Sequence, residues 1–447
     1  MRIILDIPIL LSDAVFAMTG EKCKEYADVT VFSISTDSRE CEIGDLFFSL
    51  AKERDTRIEH ALDAEFNGAY AVCDDPRFIN VKSTERALLL FAELYKSRMP
   101  RLTFTVGITG SVGKSTATRY TAKLLSNSYK VAKTVGNFNN RIGVSLSILS
   151  AERSTEILVL EIGMNHRGEI AEIANLIRPD ICVITNVGSA HIGNLGCREA
   201  IAASKREIIT EMAEAVIVPE EEPLLKNVKR RISLSLSDCN ADMLLKKRAD
   251  GYSLFLGGRV IDGLLPNIRG EHNLYNLLIA AAVANFVGIS ESNIKRGINS
   301  FYDGFTDGRI IECGRFTVID DSYNSSPEAV MAMLDYVMTL PTKRYALISD
   351  MLELGEKSGA LHYAIGKRAS GLCGLYIVGE YADYVALGAI DGGMPPEAVK
   401  IIRDTSHERL CDLLTEDITE GTLLIKGSHA TGLSEVVKIL RERTKKG

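Results

Sequence analysis

The segment RLTFTVGITGSVGKSTATRYTAKLLS, residues 101–126, constrains the fold more than any other part of this chain. A strand-like run leads into a glycine-rich turn, and a helical pattern follows the turn. Two later runs, EILVLEIG and ICVITNVG, also look like strands, with helical segments between them. Strands that alternate with helices predict a parallel sheet covered by helices on both faces.

The glycine-rich turn has the composition of a phosphate-binding loop. Its glycines allow tight turns that aim backbone N–H groups at phosphate oxygens, and the following helix adds the positive end of its dipole. Lys114 is expected to reach the terminal phosphates and Ser115 to hold Mg²⁺. Ile108 stands where the general pattern has glycine, so the alternative is a glycine-rich turn with a chance GKS. The residues expected at the nucleotide are Thr109, Gly110, Ser111, Val112, Gly113, Lys114, Ser115 and Thr116.

At 447 residues the chain is too long for one hydrophobic core, and ~150 residues per domain suggests three domains. We predict an α/β protein with a smaller N-terminal α/β domain (1–100), a central P-loop parallel-sheet ATPase domain (101–312) and a C-terminal Rossmann-like α/β domain (313–447). The last block repeats the alternation with FTVIDDSYN, RYALISDML, GLYIVGE and TLLIKGS. Active sites of such sheets gather at the carboxyl ends of the strands, where the polar motifs of this chain lie.

The composition argues against several classes of protein. The formal net charge of −7 provides no basic field, so no nucleic-acid partner is expected. Nine cysteines without a CxxC pair or a metal-type spacing indicate reduced thiols and a cytoplasmic location. Asp6 and Asp13 interrupt the apolar N-terminus, which argues against a signal peptide. The most apolar stretch, Leu277 to Ile289, is too short to span a bilayer, so we expect a buried helix and no membrane insertion.

Three further residues are candidates for metal chemistry, and each has a simpler explanation. Glu161 ends a strand-like run beside the phosphate loop, where a carboxylate serves either as a Mg²⁺ ligand or as a surface or capping group. His191 follows ICVITNVG in a GSAH turn, where a lone histidine is more often a polar loop residue than a metal ligand. Lys205 lies on an amphipathic helix, where most lysines are merely solvated. None of the three carries a conclusion by itself.

Taken together, the motifs of the second block resemble the central domain of the Mur ligase family. The matching segments are GITGSVGKST, TVGNFNNRIG, LEIGMNHRGEI, ITNVGSAHIGNLG, ASKREI, GEHNLYN and DGR, in the family's order and spacing. In the third block, IDDSYNSSPEAV, ISDMLELGEKSGALH and LLIKGSH resemble the branch that adds D-alanyl-D-alanine to UDP-N-acetylmuramoyl-tripeptide. STDSRECEIGDLFFSL is similar to that branch's UDP-substrate domain, so the resemblance covers nearly the whole chain.

The resemblance implies an ATP-dependent, ADP-forming ligase of peptidoglycan synthesis that works on these two small molecules through an acyl phosphate. It implies two Mg²⁺ ions, one held by Ser115 and Glu161. His191 and a carbamoylated Lys205 would hold the other, and both would act in catalysis with Lys114. The remaining implied contacts are adenine at Asn273, phosphates at Arg309, ribose at Asp321, phosphates and acceptor at Asn139 and Asn140, uridine nucleotide at Ser38 and Arg39, and substrates at Tyr323 and Asn324.

This chain departs from the family pattern at three points, and other functions stay open. RDTRIEHA replaces a DGHxF-like segment, His429 replaces the usual arginine after KGS, and tryptophan is absent. The closest alternative is a related ligase with another substrate, such as a folylpolyglutamate or cyanophycin synthetase. A P-loop kinase or transport ATPase and a non-catalytic homologue are further alternatives. A monomer is the default, because no amphipathic repeat suggests an oligomer.

Overall fold

The computed structural model describes residues 1–190, 192–301, 309–403 and 406–446. Its first sheet has the strand order β1-β2-β3-β4-β5, with β1 antiparallel to β2 and the other pairs parallel. These strands are β1 (Arg2–Leu10), β2 (Thr30–Ser35), β3 (Leu46–Phe48), β4 (Tyr70–Cys73) and β5 (Ile79–Asn80). The helices are α1 (Leu11–Thr19), α2 (Arg54–Phe66) and α3 (Thr84–Ser97). The apolar N-terminus thus forms a strand and a helix that pack into the core.

The second sheet has the order β14-β13-β12-β11-β10-β9-β6-β8-β7. Its strands are β6 (Phe104–Thr109), β7 (Val131–Lys133), β8 (Ile157–Glu161), β9 (Ile181–Ile184), β10 (Ala215–Pro219), β11 (Arg231–Ser235), β12 (Met243–Arg248), β13 (Gly251–Leu256) and β14 (Arg259–Leu264). The helices are α4 (Lys114–Leu125), α5 (Arg141–Leu149), α6 (Glu169–Ile177), α7 (Ile192–Leu195), α8 (Arg198–Arg206), α9 (Glu271–Phe286) and α10 (Glu291–Asn299). Of the apolar stretch from Leu277 to Ile289, the part up to Phe286 lies in α9, and residues 277–284 are buried, as predicted.

The central sheet is parallel over most of its width, as predicted, and an antiparallel hairpin that the sequence analysis did not predict extends it at one edge. The strands from β6 to β12 pair in parallel, but β13 and β14 join as an antiparallel extension. Gly257 and Gly258 make the tight turn between β13 and β14 with φ values of 50° and 92°. A two-residue turn with positive φ at both positions suits glycine and favours a hairpin.

The third sheet has the order β15-β16-β20-β17-β18-β19, with β15 antiparallel and the other pairs parallel. Its strands are β15 (Arg309–Cys313), β16 (Phe316–Asp321), β17 (Arg344–Ile348), β18 (Gly374–Ile377), β19 (Val399–Ile401) and β20 (Gly421–Lys426). The helices are α11 (Pro327–Met338), α12 (Ser358–Ala369), α13 (Ala382–Asp391), α14 (His407–Asp417) and α15 (Leu433–Lys446). The four strands predicted in this block are confirmed. The domain boundaries at 100/101 and 312/313 stay predictions.

The pairing of the central strands decides where a site can form. In the parallel register, Ile108 of β6 lies beside Glu161 of β8, and Thr109 lies beside Ile184 of β9. The loops that follow these three strands therefore leave the sheet side by side at its carboxyl edge. Among the described residues, no helix combines the length and the apolar character needed to cross a membrane.

Candidate active site

The phosphate loop connects β6 to α4, and two of its glycines are required by geometry. Gly110 has φ of 152°, and a Cβ built there would lie 1.8 Å from Oγ1 of Thr185. Gly113 has φ of 83° and precedes the first residue of α4, Lys114. A larger residue at either position would need a different loop. The N–H groups of the first turn of α4 have no carbonyl partner within the helix and form an anion-binding helix terminus.

Two side chains after β9 hold the loop in place. Oδ1 of Asn186 accepts hydrogen bonds from the backbone N–H groups of Ser111 and Val112 at 3.1 and 3.0 Å. Oγ1 of Thr185 and Nδ2 of Asn186 donate to the carbonyl of Val112 at 2.6 and 3.0 Å. The N–H groups of Ser111 and Val112 thus face Asn186 in this structure, and their contact with phosphate stays a prediction. The N-terminus of α4 is the part of the loop that offers N–H groups to an anion.

Lys114 folds back over the loop. Its ammonium group donates to the carbonyls of Gly110 and Ser111 at 3.0 and 3.4 Å. Burial lowers the pKa of Lys114, and the carboxylate of Glu161 partly offsets that effect. The ammonium group thus already lies over the loop, where phosphate oxygens could replace these two carbonyl contacts.

Glu161 is 2% exposed at the end of β8, which removes the simpler explanation of a surface glutamate. Its Oε1 accepts a hydrogen bond from Nδ2 of Asn139 at 2.9 Å, and its backbone N–H donates to Oγ1 of Thr134 at 2.8 Å. Asn139 also accepts the N–H of Gly163 on its backbone carbonyl, at 2.7 Å. The two predicted residues, Glu161 and Asn139, are thus brought together beside the phosphate loop.

Lys205 is 1% exposed on α8, so it is not the solvated lysine of the simpler explanation. Burial, and next the positive charge of Lys114, lower the pKa of Lys205 well below its usual value, while Glu328 acts in the opposite direction. No described residue makes a hydrogen bond or an ion pair with its amine. Burial and the positive charge of Lys114 thus both favour the neutral amine.

A cavity of ≈ 400 Å³ opens beside the phosphate loop, with walls from the second and third sheets and their helices. Asn273 of α9 and Asp321 of β16, expected at adenine and ribose, both line it, so the two predicted residues share one cavity. Asn273 is held by a hydrogen bond from its Nδ2 to the carbonyl of Arg269 at 2.9 Å. The other residues that line the cavity are Val112, Gly113, Thr116, Thr185, Asn186, Pro219, Arg269, His272, Tyr275, Asn276, Ile310, Ile319, Ala329, Ala332, Met333 and Tyr336.

The loop after β16 carries the predicted substrate residues Tyr323 and Asn324, and Lys426 holds it. The ammonium group of Lys426, 1% exposed, lies 3.1 Å from Oδ2 of Asp321. It also donates to the backbone carbonyls of Asp321 and Asn324. Tyr323 is half exposed, accepts a hydrogen bond from Nδ2 of Asn137 in the central domain, and meets the His429 ring edge-on at 5.4 Å.

Other predicted residues make no described contact with this cluster or lie outside the described part of the chain. Ser38 and Arg39 form a turn in the N-terminal domain, where Arg39 is 86% exposed and pairs with Asp37. Asn140 caps α5 by accepting the N–H of Gly143 on Oδ1 at 2.9 Å. His191 and the side chain of Arg309 lie outside the described residues. Within those residues, no group of three His, Cys, Asp or Glu side chains forms a metal site by itself.

Four residues of the site were not singled out from the sequence: Asn186, Thr185, Lys426 and Glu328. Asn186 and Lys426 had a usable signal, because each is a polar residue at the carboxyl end of a buried strand. Glu328 had none, since its position in the second residue of α11 is typical of a helix N-terminus.

Comparisons with known proteins agree with this arrangement. A family model described as the Mur ligase middle domain matches residues 108–284. UDP-N-acetylmuramoyl-tripeptide–D-alanyl-D-alanine ligase of Bacillus subtilis (strain 168) is 30% identical over 440 residues, which cover 94% of this chain and 95% of that protein. MurF from Acinetobacter baumannii has a TM-score of 0.85 at 24% identity, over 98% of this chain and 99% of that one. MurF from Thermotoga maritima in complex with ADP has a TM-score of 0.80 at 26% identity, over 92% and 98%. The resemblance and the three-domain fold expected from the sequence are confirmed, and the chain belongs to the Mur ligase family.

Proposed function

We propose that this chain is an ATP-dependent ligase that adds D-alanyl-D-alanine to UDP-N-acetylmuramoyl-tripeptide in peptidoglycan precursor synthesis. The observation that carries the proposal is the phosphate loop beside a cavity of ≈ 400 Å³ walled by two domains. That volume suits a nucleoside. The two substrates are those in the name of the Bacillus subtilis relative, which this chain matches over nearly its full length.

The chemistry joins a carboxylate to an amine, which at neutral pH needs an activated acyl group. ATP phosphorylates the terminal carboxylate of the tripeptide and gives an acyl phosphate and ADP. The amine of D-alanyl-D-alanine attacks the acyl carbon, and inorganic phosphate leaves from the tetrahedral intermediate. The first step brings two anions together, so Lys114 and Arg309 act by offsetting their repulsion.

The residues present fit Mg²⁺ at the loop. Ser115 and the buried carboxylate of Glu161 would supply the oxygen ligands that this ion prefers, and Asn139 donates to one oxygen of Glu161 at 2.9 Å. His191 and Lys205 are proposed for a second ion. Bound Mg²⁺ would neutralise charge on the transferring phosphoryl group.

Lys205 is proposed to be carbamoylated, because its environment favours the form that reacts. A neutral amine attacks CO₂, and burial together with the charge of Lys114 lowers the pKa of Lys205 toward that form. The carbamate would replace a buried amine by an anionic oxygen ligand. Mass spectrometry of the intact chain under CO₂ and under argon, at low temperature and near-neutral pH, would detect the added mass.

The remaining assignments follow the walls of the cavity and the loops at its rim. Asn273 contacts adenine and Asp321 the ribose, while Asn139 and Asn140 lie toward the phosphates and the acceptor. Tyr323 and Asn324 contact the substrates from the C-terminal domain, and Ser38 with Arg39 contacts the uridine nucleotide. We place the reaction in the cytoplasm and expect a monomer.

The experiment that tests the proposal is ADP release with Mg-ATP and UDP-N-acetylmuramoyl-tripeptide, with and without D-alanyl-D-alanine, followed by the mass of the product. Dipeptide-dependent release with a UDP-muramoyl-pentapeptide product is expected. Lys114→Met should abolish release, and Lys82→Met, which removes an exposed lysine of the N-terminal domain, should not. Turnover only with another carboxylate and amine would contradict the proposed substrates. ATP hydrolysis without an amide product would contradict the proposed ligase activity.

A further inference from the structure

The C-terminal domain reaches into the central site through one carboxylate. Glu328, in the first turn of α11, accepts a hydrogen bond from the backbone N–H of Ser189 on its Oε1 at 2.5 Å. Its other oxygen, Oε2, is buried and has no hydrogen-bond partner among the described residues. A buried carboxylate oxygen without a donor costs free energy, so the bond between Oε1 and Ser189 and the surrounding packing must offset that cost.

The close approach depends on the absence of a side chain at Gly188. A Cβ built there would lie 2.7 Å from the carboxyl carbon of Glu328 and 2.9 Å from Oε1. Gly188 has no positive φ that would itself demand glycine. The reason for glycine here is therefore the space taken by the carboxylate from the other domain.

The same loop holds the phosphate loop. The N–H of Gly188 donates to Oγ of Ser111 at 2.9 Å. Two residues earlier, Oδ1 of Asn186 accepts from the N–H groups of Ser111 and Val112. A continuous series of contacts thus runs from α11 through Gly188 and Ser189 to the phosphate loop.

A second contact from the C-terminal domain holds the chain a few residues further on. The N–H of Gly193 in α7 donates to the carbonyl of Glu353 at 3.0 Å. Cα of Gly193 lies 3.0 Å from the position of a Cβ built on Gly355, so the backbones meet without side chains between them. The segment after β9 is therefore fastened by the C-terminal domain at two described points, Ser189 and Gly193.

We propose that Glu328 is a positioning residue through which the C-terminal domain sets the geometry of the phosphate loop. It fixes the backbone at Gly188 and Ser189, and these residues in turn hold Ser111. Its effect on turnover rests on the proposed function, whereas its effect on the loop does not. The phosphate site is then complete only while the C-terminal domain contacts Ser189, so breaking that contact limits ATP cleavage.

The test compares Glu328→Ala with Glu328→Gln, which keeps an oxygen acceptor for the N–H of Ser189. Gly188→Ala disrupts the same contact in a second way, because its methyl group takes the space of the Glu328 carboxylate while Glu328 itself is unchanged. Asp335→Ala is the matched control, since it removes a carboxylate of α11 that pairs with Arg368 inside the C-terminal domain. Hydrogen–deuterium exchange at Ser189 and Ser111 is measured in the nucleotide-free full chain, with kcat and KM for the tripeptide substrate alongside.

We expect Glu328→Ala and Gly188→Ala to speed exchange at Ser189 at least tenfold and to lower kcat at least tenfold, with KM within twofold. Glu328→Gln should stay within threefold of the parent chain, and Asp335→Ala should match it. Unchanged exchange in both disruptive variants would overturn the proposal, and so would faster exchange with unchanged kcat. Exchange needs no substrate, so failure of the proposed ligase reaction would show in the parent chain's turnover and leave the exchange result standing.

Discussion

Lys426 and Lys205 are each 1% exposed, but their amine groups have opposite surroundings. Lys426 of the C-terminal domain has an ion pair with Asp321 at 3.1 Å and two backbone carbonyls around its ammonium group. Lys205 of the central domain has no described hydrogen bond or ion pair, and its strongest named neighbour in charge is another cation, Lys114. The first lysine has acceptors around its ammonium group, whereas the second lies where burial and a neighbouring cation disfavour a positive charge.

The difference teaches how to separate a structural from a chemical role for a buried charge. A buried cation with matched acceptors holds its surroundings together, and removing it leaves those acceptors unpaired. A buried amine without acceptors adds nothing to stability, so its place in the fold needs another reason. We therefore expect substitution of Lys205 to lower mainly turnover, and substitution of Lys426 to lower mainly the free energy of unfolding.

The largest effect is expected for Lys205→Ala. Turnover should fall by about 10²–10³-fold, the loss typical of removing one group that stabilises the charge of a transition state. The midpoint of thermal unfolding should not fall, whereas removing a paired buried lysine would lower it. Steady-state ADP release and calorimetry on the same preparation check both halves.

Added bicarbonate should not restore Lys205→Ala, because the amine that would carry the carbamate is gone. A variant with near-normal turnover would remove Lys205 from the site and end the contrast with Lys426.

Lys426→Met should act mainly on stability, with a loss of about 3 kcal/mol, the low end for a broken buried pair. The low end applies because the Asp321 side chain keeps 20% of its surface exposed and can be hydrated. The loop after β16 would also lose its anchor, so KM for ATP should rise more than kcat falls. Urea unfolding and ATP titration of the rate measure the two effects.

Lys426→Arg serves as the control, since it keeps the charge and several donors. If Lys426→Met left the free energy of unfolding unchanged while abolishing turnover, Lys426 would belong with Lys205 and the comparison would fail.

A smaller effect concerns pH. The protein lowers the pKa of Lys205 from 10.5, so between the lowered value and 10.5 the unfolded chain binds more protons than the folded chain. The free energy of unfolding contributed at this position therefore rises with pH across that window. Lys205→Met should be more stable than the parent chain near neutrality, and the gap should narrow toward pH 10. Thermal unfolding in CO₂-free buffers follows the gap, and a gap that widens with pH would contradict the assignment.

The smallest effect is expected at the exposed cation Arg39. Its ion pair with Asp37 is exposed and local, so Arg39→Ala should leave thermal unfolding unchanged. If Arg39 contacts the uridine nucleotide, KM for the tripeptide substrate should rise a few-fold at constant kcat. Arg77→Ala, which removes a similar exposed arginine paired to Asp75, is the control. Equal KM values for all three proteins would take Arg39 out of the substrate site.

The sequence predicted those parts of the site that are local in the chain. Gly110, Gly113 and Lys114 lie within one strand–turn–helix motif, and Glu161 ends a strand that reads as buried. Asn186 and Glu328 were missed because their partners are remote, 75 residues away for Ser111 and 139 for Ser189. The antiparallel strands β13 and β14 were missed although Gly257 and Gly258 carried a local turn signal, because the strand-like runs singled out in this block ended with ICVITNVG.

The cavity between the second and third sheets has a consequence for how the protein unfolds. Because its walls come from two domains, a compound that fills it binds neither domain fully when the other is unfolded. Binding free energy is then added to the joint folded state alone. Unfolding steps of the two domains that occur separately in the free protein would merge into one cooperative transition at saturating ligand. The number of calorimetric transitions would thus distinguish compounds seated across the cavity from compounds held by a single wall.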